Sequence, residues 1–389
     1  MRSRMDYFGM TQASLERAGG YWTAREILQQ PGSWVDIERL MARDAPVLRS
    51  YLDPLLRRAD LRIVLTGAGT SASVGDCLAP ALLRAGRAAQ AVSTTDLVGS
   101  PDSWLPPAAP ILLVSFARSG DSPESVAALK LAEQAAPDCH HLIVTCNRDG
   151  ALYRWGQDAK NAHVVLLPEE TNDRGFAMTS SFSGMLLAVA QGFGLLPETA
   201  AAALARWGAQ VLESALPLAA SLAGAGFERV VYLGSNECKG LAREAALKML
   251  ELSDGRVVTL CETPLGFRHG PKTIVNGKTL VVMFLSNDRY TRRYEMDVLN
   301  ELRADGVAAR VVALSAEGTE PSSQGDEIIV AGAMSAPNIG MCLPFVAFAQ
   351  VLAFLQSLAL GLTPDSPNAK GVVNRVVPGF TIYPWDAKR

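Results

Sequence analysis

Ile111-Leu-Leu-Val-Ser-Phe-Ala-Arg-Ser-Gly-Asp-Ser-Pro-Glu-Ser125 is the stretch that decides how this chain folds. The unbroken apolar run from Ile111 to Val114 predicts a buried strand. It opens into small hydroxyl residues around Gly120, and Pro123-Glu124 then starts a helix. Glycine lets the backbone approach a ligand, proline suits a first helical position, and the free N–H groups of a helix start attract anions. No P-loop lysine follows, so the loop suits a phosphate monoester rather than a nucleotide.

The same strand–loop–helix rhythm runs outward from this point. Strands are predicted over 62–66, 89–93, 111–115, 141–145 and 163–167, with helices over 74–84 and 123–136. A helical stretch over 179–222 follows, and the Ala/Gly-rich segment 223–227 reads as a hinge into a second cycle. That cycle has strands at 229–233, 279–285, 309–313 and 327–330 and an apolar helix over 339–360. Continuous apolar strands alternating with helices imply parallel sheets covered on both faces. The expected fold is α/β, with two doubly wound parallel-sheet domains over 49–205 and 206–362. A helical segment over 1–48 precedes them, and an ordered strap over 363–389 follows. Within the first segment, Thr23-Ala-Arg-Glu26 reads as a capping box, Pro31 as a helix stop, and Ser33 as the start of a second helix.

Composition narrows the function. The chain has 389 residues, 49% hydrophobic and 19% charged, which suits a globular enzyme and excludes a disordered chain. A net charge of -3 without a basic run argues against nucleic acid. Six cysteines without a C-x-x-C or a paired His spacing read as reduced thiols, with no metal site expected. No apolar signal core or membrane-length run is read, so the expected location is the cytoplasm, away from membranes.

Four constellations carry chemistry. Thr66-Gly-Ala-Gly-Thr-Ser-Ala-Ser73 follows the first strand. Gly67 and Gly69 allow a tight turn, and Thr70 and Ser71 can bond phosphate. A dinucleotide site using Asp96 and a mere packing role for the glycines are alternatives. In the second loop Ser119 and Ser122 are the preferred ligands, with Arg118, Gly120 and Ser115 beside them. An ordinary N-cap is the plainer reading. Third, Glu244 and Glu251 share a helix face at a spacing of seven. Lys248 between them makes a surface pair the plainer role for Glu244, whereas Glu251, flanked by leucines, suits a proton carrier. Fourth, Pro264-Leu-Gly-Phe-Arg-His-Gly-Pro271 holds His269 in a rigid turn, suited either to acid–base work or to a backbone bond.

Together these pieces resemble the sugar isomerase (SIS) family in its two-domain form. The order Gly-Thr-Ser71, Arg-Ser-Gly-Asp-Ser122, Ala-Leu-Lys-Met-Leu-Glu251 and Arg-His-Gly-Pro271 is similar to the isomerase half of glucosamine-6-phosphate synthase. Arg174-Gly-Phe-Ala-Met-Thr-Ser-Ser181, Thr263-Pro-Leu-Gly-Phe-Arg-His-Gly-Pro-Lys272 and Val373-Asn-Arg-Val-Val377 extend the likeness to AgaS-type proteins. Those are known as galactosamine-6-phosphate deaminases or tagatose-6-phosphate ketose/aldose isomerases. The resemblance implies that Ser71, Ser119 and Ser122 hold the phosphate; Gly69, Thr70, Arg118, Gly120, Thr179, Glu244 and Arg375 are the further substrate-binding candidates. It implies that Glu251 is the general base and that His269 opens the ring across a homodimer interface. The tail departs from the synthase pattern, leaving Lys370 and Arg375 as alternative residues over the sugar.

The implied reaction converts a hexosamine 6-phosphate, galactosamine 6-phosphate in the AgaS reading, to tagatose 6-phosphate and ammonia without cofactor or metal. Isomerisation without deamination, a sugar-phosphate-sensing regulator and a Rossmann dehydrogenase are the rival classes.

Overall fold

The computed structural model describes residues 7–106, 108–318, 326–373 and 381–386. Two helices, α1 (Gln12–Ala18) and α2 (Tyr21–Leu56), lead the chain. A βα series follows: β1 (Arg62–Gly67), α3 (Thr70–Arg84), β2 (Ala89–Ser93), α4 (Thr94–Gly99), α5 (Pro101–Trp104) and β3 (Ile111–Ala117). It continues through α6 (Pro123–Ala135), β4 (Cys139–Thr145), α7 (Ala151–Asp158) and β5 (Ala162–Leu166). Three helices, α8 (Ser180–Gly192), α9 (Ala201–Ser214) and α10 (Leu216–Ala223), precede the second series. That series comprises β6 (Arg229–Gly234), α11 (Glu237–Leu252), β7 (Val258–Glu262), α12 (Pro264–Phe267), β8 (Thr279–Phe284) and α13 (Arg289–Asp305). It closes with β9 (Arg310–Ser315), β10 (Asp326–Ile329) and α14 (Asn338–Ala359).

Both sheets are parallel and five-stranded, ordered β2-β1-β3-β4-β5 and β10-β9-β8-β6-β7. Read from its own first strand, the second order is the first one again. All seven residues of β3 and all six of β8 are buried, as central strands covered on both faces must be.

The chain divides into two compact units that interleave in sequence. The β1–β5 unit takes Ser33–Asn172, Ser180–Thr199 and the tail from Val373. The β6–β10 unit takes the chain up to Gly32, Asp173–Thr179 and Ala200–Val372. This differs from the four consecutive segments expected. The 223–227 segment is not a hinge between units, because α9 and α10 already pack on α14 within the β6–β10 unit. In the β1–β5 unit, Trp385 packs against the core that holds Leu113, Leu129 and Ile143, and Gln134 Nε2 donates to its carbonyl at 2.6 Å.

The capping box and the stop at Pro31 are both corrected. Helix α2 runs through Pro31 without a break. Proline removes one N–H from the ladder, and the Gln30 side-chain amide supplies a donor to Ile27 O instead, at 3.0 Å. At the helix start, the Asp365 carboxylate accepts from Trp22 N, Thr23 N and Thr23 Oγ1 at 3.1, 2.8 and 2.7 Å. A distant carboxylate therefore satisfies the orphan donors of the first turn. Glu26 is turned elsewhere, accepting from Arg174 N and Gly175 N.

Strand β7 was not anticipated. It is a half-exposed edge strand of mixed residues, so it lacks the apolar run that marks the others. Helix α14 is long and apolar enough to cross a membrane, contrary to the sequence reading, but 94% of its apolar window is buried inside the protein. Strand alternation also makes a Cys–His pairing that residue spacing did not suggest. Cys139 and His141 share one face of β4, and with Glu133 their donor atoms fall within 4.8 Å of one another. His141 Nε2 lies 2.6 Å from Glu133 Oε1, which also accepts from Asn161 at 2.7 Å. Cys139 Sγ lies 3.4 Å from the same His141 nitrogen, which completes a hydrogen-bonded group, and burial, reinforced by Glu133, pushes the Cys139 thiol up to about 12.

Candidate active site

In the β1–β5 unit the strand order reverses between β1 and β3, the point where doubly wound sheets bind ligands at their carboxyl ends. Both predicted loops leave the sheet there. Gly67 closes β1 so tightly that a Cβ on it would stand 2.5 Å from Ser71 Cβ, and Gly69 adopts φ 56°. This turn delivers Thr70 and Ser71 to the first turn of α3, both buried, with Gly69 exposed at the rim. The hydroxyls of Thr66 at the end of β1, of Ser115 paired with it in register on β3, and of Ser73 on α3 are buried with no hydrogen-bond partner among the described residues.

The second loop is held from behind. Gly120 sits at φ 72°. Asn147 Nδ2 donates to Ser119 O at 2.8 Å, Leu152 N to Gly120 O at 3.1 Å and Ala151 N to Asp121 Oδ1 at 2.9 Å. Gly150 is obligatory, since a Cβ there would lie 2.4 Å from Ser119 O. Asn147, Gly150 and Asp121 are thus supports that the sequence reading missed; their signal was a second glycine-bearing turn after β4.

Ser122 is the N-cap of α6, accepting from Ser125 N at 3.3 Å and donating to Ser125 Oγ at 2.6 Å. The plainer reading of that residue therefore holds in this state. Ser119 stays half-buried, and Arg118 is buried beside it. A groove of about 990 Å³ opens along Arg39, Arg43, Asn147, Arg148 and Tyr153. None of the predicted hydroxyl ligands lines it.

The β6–β10 unit holds the acid–base candidates. Helix α11 presents Glu244, Lys248 and Glu251 along one face. Glu244 and Lys248 are fully buried, with Oε1 to Nζ at 3.5 Å, so their pairing is internal and not the surface pair expected. Lys248 also pairs with Glu251 Oε2. Glu251 alone of the three keeps exposed surface, in the last turn of the helix. Lys248 was passed over in the sequence as a surface partner; its flanking Leu247 and Met249 were the available sign of burial.

His269 is exposed just after α12, and its amide donates to Gly266 O at 3.0 Å. Its turn is clamped to α13 by Arg268 with Glu301, at 2.8 Å, and by Lys272 with Glu301 and Asp305. Thr179 is wholly buried, and its amide and hydroxyl both go to Asp173, at 2.8 and 3.2 Å. That hydroxyl braces its own segment. In the tail, Asn368 Nδ2 donates to Asp254 Oδ1 at 2.8 Å, which ties the chain before Lys370 to the end of α11 that carries Glu251. Lys370 is exposed, and Arg375 lies outside the described residues.

A sequence model of the SIS domain matches residues 55–193, which include the first sheet and both of its hydroxyl loops. Two curated relatives cover nearly the whole chain. D-galactosamine-6-phosphate deaminase AgaS of Escherichia coli is 46% identical over 378 residues, 95% of this chain and 97% of that protein. The protein of the same name from Shewanella sp. (strain ANA-3) is 40% identical over 388 residues, 97% of this chain and 95% of that one. The crystal structure of tagatose-6-phosphate ketose/aldose isomerase from Escherichia coli matches with a TM-score of 0.89 at 42% identity, covering 97% of this chain and 99% of that one. The C-terminal domain of glucosamine-fructose-6-phosphate aminotransferase from Francisella tularensis shares the fold alone, with a TM-score of 0.70 at 15% identity over 89% of this chain and 98% of that one. The chain belongs to the SIS family, and within it to the AgaS-type proteins.

Proposed function

We propose that this chain is an amino-sugar-phosphate deaminase that converts galactosamine 6-phosphate to tagatose 6-phosphate and ammonia. The observation that carries the reading is the hydroxyl-lined switch point of the β1–β5 unit, in a chain 46% identical to a deaminase of that name. Ser71, Ser119 and the start of α3 hold the phosphate, the unreactive end of the sugar. His269 passes the ring proton and opens the hemiacetal. Glu251 then takes the C2 proton of the open aldehyde, giving an enolamine, and protonation at C1 yields a 2-imine. Water adds to C2 of the imine and ammonia leaves, which balances the reaction. General acid–base groups suffice for these steps.

The reading extends to a cytoplasmic homodimer in which His269 serves the partner's site. In its favour, the imidazole is exposed and makes no hydrogen bond or ion pair among the described residues. Mixing inactive Glu251→Gln and His269→Ala chains should restore activity in mixed dimers, and a mixture that stays inactive would remove the shared site.

A second reading, aldose–ketose isomerisation with nitrogen untouched, is favoured by the likeness to the tagatose-6-phosphate isomerase structure. Ammonia release from galactosamine, glucosamine and fructosamine 6-phosphates, assayed side by side, separates the two. Release from galactosamine 6-phosphate in preference to the others supports the proposal. No ammonia from any of them, with interconversion of tagatose 6-phosphate and its aldose, gives the second reading.

A further inference from the structure

The β6–β10 unit repeats the other unit down to the details of its ligand turn. Gly234 ends β6 as Gly67 ends β1, and a Cβ on it would stand 2.3 Å from Cys238 O. Asn236 adopts φ 52° and ψ -120°, against 56° and -125° for Gly69. Cys238 N donates to Ser235 O at 2.9 Å, as Ser71 N does to Ala68 O at 3.1 Å. Asp288 caps α13 at the end of the next loop, where Ser122 caps α6. By fold, then, this unit owns a second anion cradle between the ends of β6 and β8.

Its side chains differ: the buried Glu237 stands where α3 has Thr70, Cys238 where it has Ser71, and Asp288 where α6 has Ser122. Seven residues beyond the cap, α6 carries Leu129 and α13 carries Glu295, each 1% exposed. A buried carboxylate in place of leucine is costly unless the surroundings want an anion. Here they do. Glu295 Oε2 accepts the amide of Ser286, in the cradle loop, at 2.7 Å. Arg292 ties the same loop to the end of β9, donating to Ser286 O at 3.4 Å and to Ser315 Oγ at 2.8 Å. The Ser235 hydroxyl, in the turn after β6, hydrogen-bonds to the same carboxylate, so both loops of the second cradle reach Glu295. Burial, and to a lesser extent Asp288, push the carboxyl up, while the Ser286 amide, the Ser235 hydroxyl and Arg292 pull the other way.

We propose that Glu295 is a resident anion, its carboxylate filling the second copy of the oxyanion cradle, and that removing it opens a latent site for a small oxyanion. The idea shares with the proposed function only the reading of the hydroxyl loops as a phosphate cradle.

The test is chemical rescue with the full chain. Glu295→Ala should melt below wild type, and sodium formate should recover much of the loss while sodium chloride at equal ionic strength should not. Glu295→Leu, which restores the residue of the other repeat, should melt at the same temperature with either salt. If Glu295→Ala does not fold in plain buffer, its refolding in formate is the readout. Rescue of the alanine variant alone supports the plug; equal response to formate and chloride, or no recovery in either, overturns it. Wild type unmoved by inorganic phosphate would fault the shared cradle reading. Wild type stabilised by phosphate, with no formate rescue of Glu295→Ala, would fault Glu295 alone.

Discussion

Lys248 and Glu251 form an ion pair one turn apart on α11, in which the ammonium is fully buried and the carboxylate keeps 24% of its side-chain surface. The lysine also stands 3.5 Å from the buried Glu244, so one cation serves an inner carboxylate and an outer one. That division leaves Glu244 inside the protein and Glu251 as the carboxylate with exposed surface, which is the arrangement the proposed mechanism needs.

Glu251→Gln should therefore lower kcat by ~10²–10⁴, the usual worth of a positioned general base, and leave phosphosugar affinity nearly intact. Single-turnover ammonia release beside a binding titration measures both. Wild-type turnover in this variant would end the case for Glu251 as the base.

Lys248→Met should cost stability as well as rate. Removing one partner of a buried ion pair typically costs about 3–5 kcal/mol, because a charge is left behind in the interior. The combined Lys248→Met, Glu244→Gln variant should recover much of that loss. Urea denaturation of the three proteins decides it; a loss below about 1 kcal/mol in the single variant would mean that the pair behaves as a surface one.

Gly67→Ala places a methyl group 2.5 Å from Ser71 Cβ and 2.6 Å from its carbonyl carbon. The first turn of α3 must move, so Ser71 leaves its place at the switch point. The expected outcome is a raised KM for the sugar phosphate and weaker inhibition by inorganic phosphate, with Glu251 chemistry retained in kcat. Ser119→Ala should act in the same direction without disturbing the turn. Unchanged phosphate inhibition in both would put the anion elsewhere.

Glu26 gives a pH signature. Burial, with Asp173 next in effect, raises its carboxyl from 4.5 to about 8, although the amides of Arg174 and Gly175 oppose the shift. Between these values the folded protein holds a proton that the unfolded chain has released. Stability from this group is therefore full below pH 4.5, falls as pH rises toward 8 and is flat above. Melting temperatures from pH 5 to 9 should fall less steeply in Glu26→Gln than in wild type. Parallel curves would show that Glu26 does not titrate in that window.

Much of the fold was legible because its strands are written as apolar runs. Ala89–Ser93 appeared with the bounds the structure gives, and β1, β3, β4 and β6 differ only at their ends. What stayed hidden depends on distant partners. Pro31 looks like a stop until Gln30 is seen to supply a donor to Ile27. Thr23 and Glu26 look like mutual caps until Asp365 and Gly175 claim them. In the site, the glycine and serine loops announced themselves through local backbone demands. Lys248 did not, because a lysine in a helix is read as exposed unless packing is known, and the bond of the Thr179 hydroxyl to Asp173 was not legible because it depends on how the 173–179 segment folds back on itself.

The tie between Asp365 and the start of α2 spans 343 residues. On a ribosome adding ~5–20 residues per second, the first turn of α2 emerges roughly 20–70 s before the carboxylate that caps it. During that interval its amides have only water. The β1–β5 unit faces the same delay, since Trp385, which packs on its core, is made after the whole second sheet. Neither unit can be completed on the nascent chain in the order in which its sheet is synthesised, so final closure of both is a late event set by the arrival of the tail.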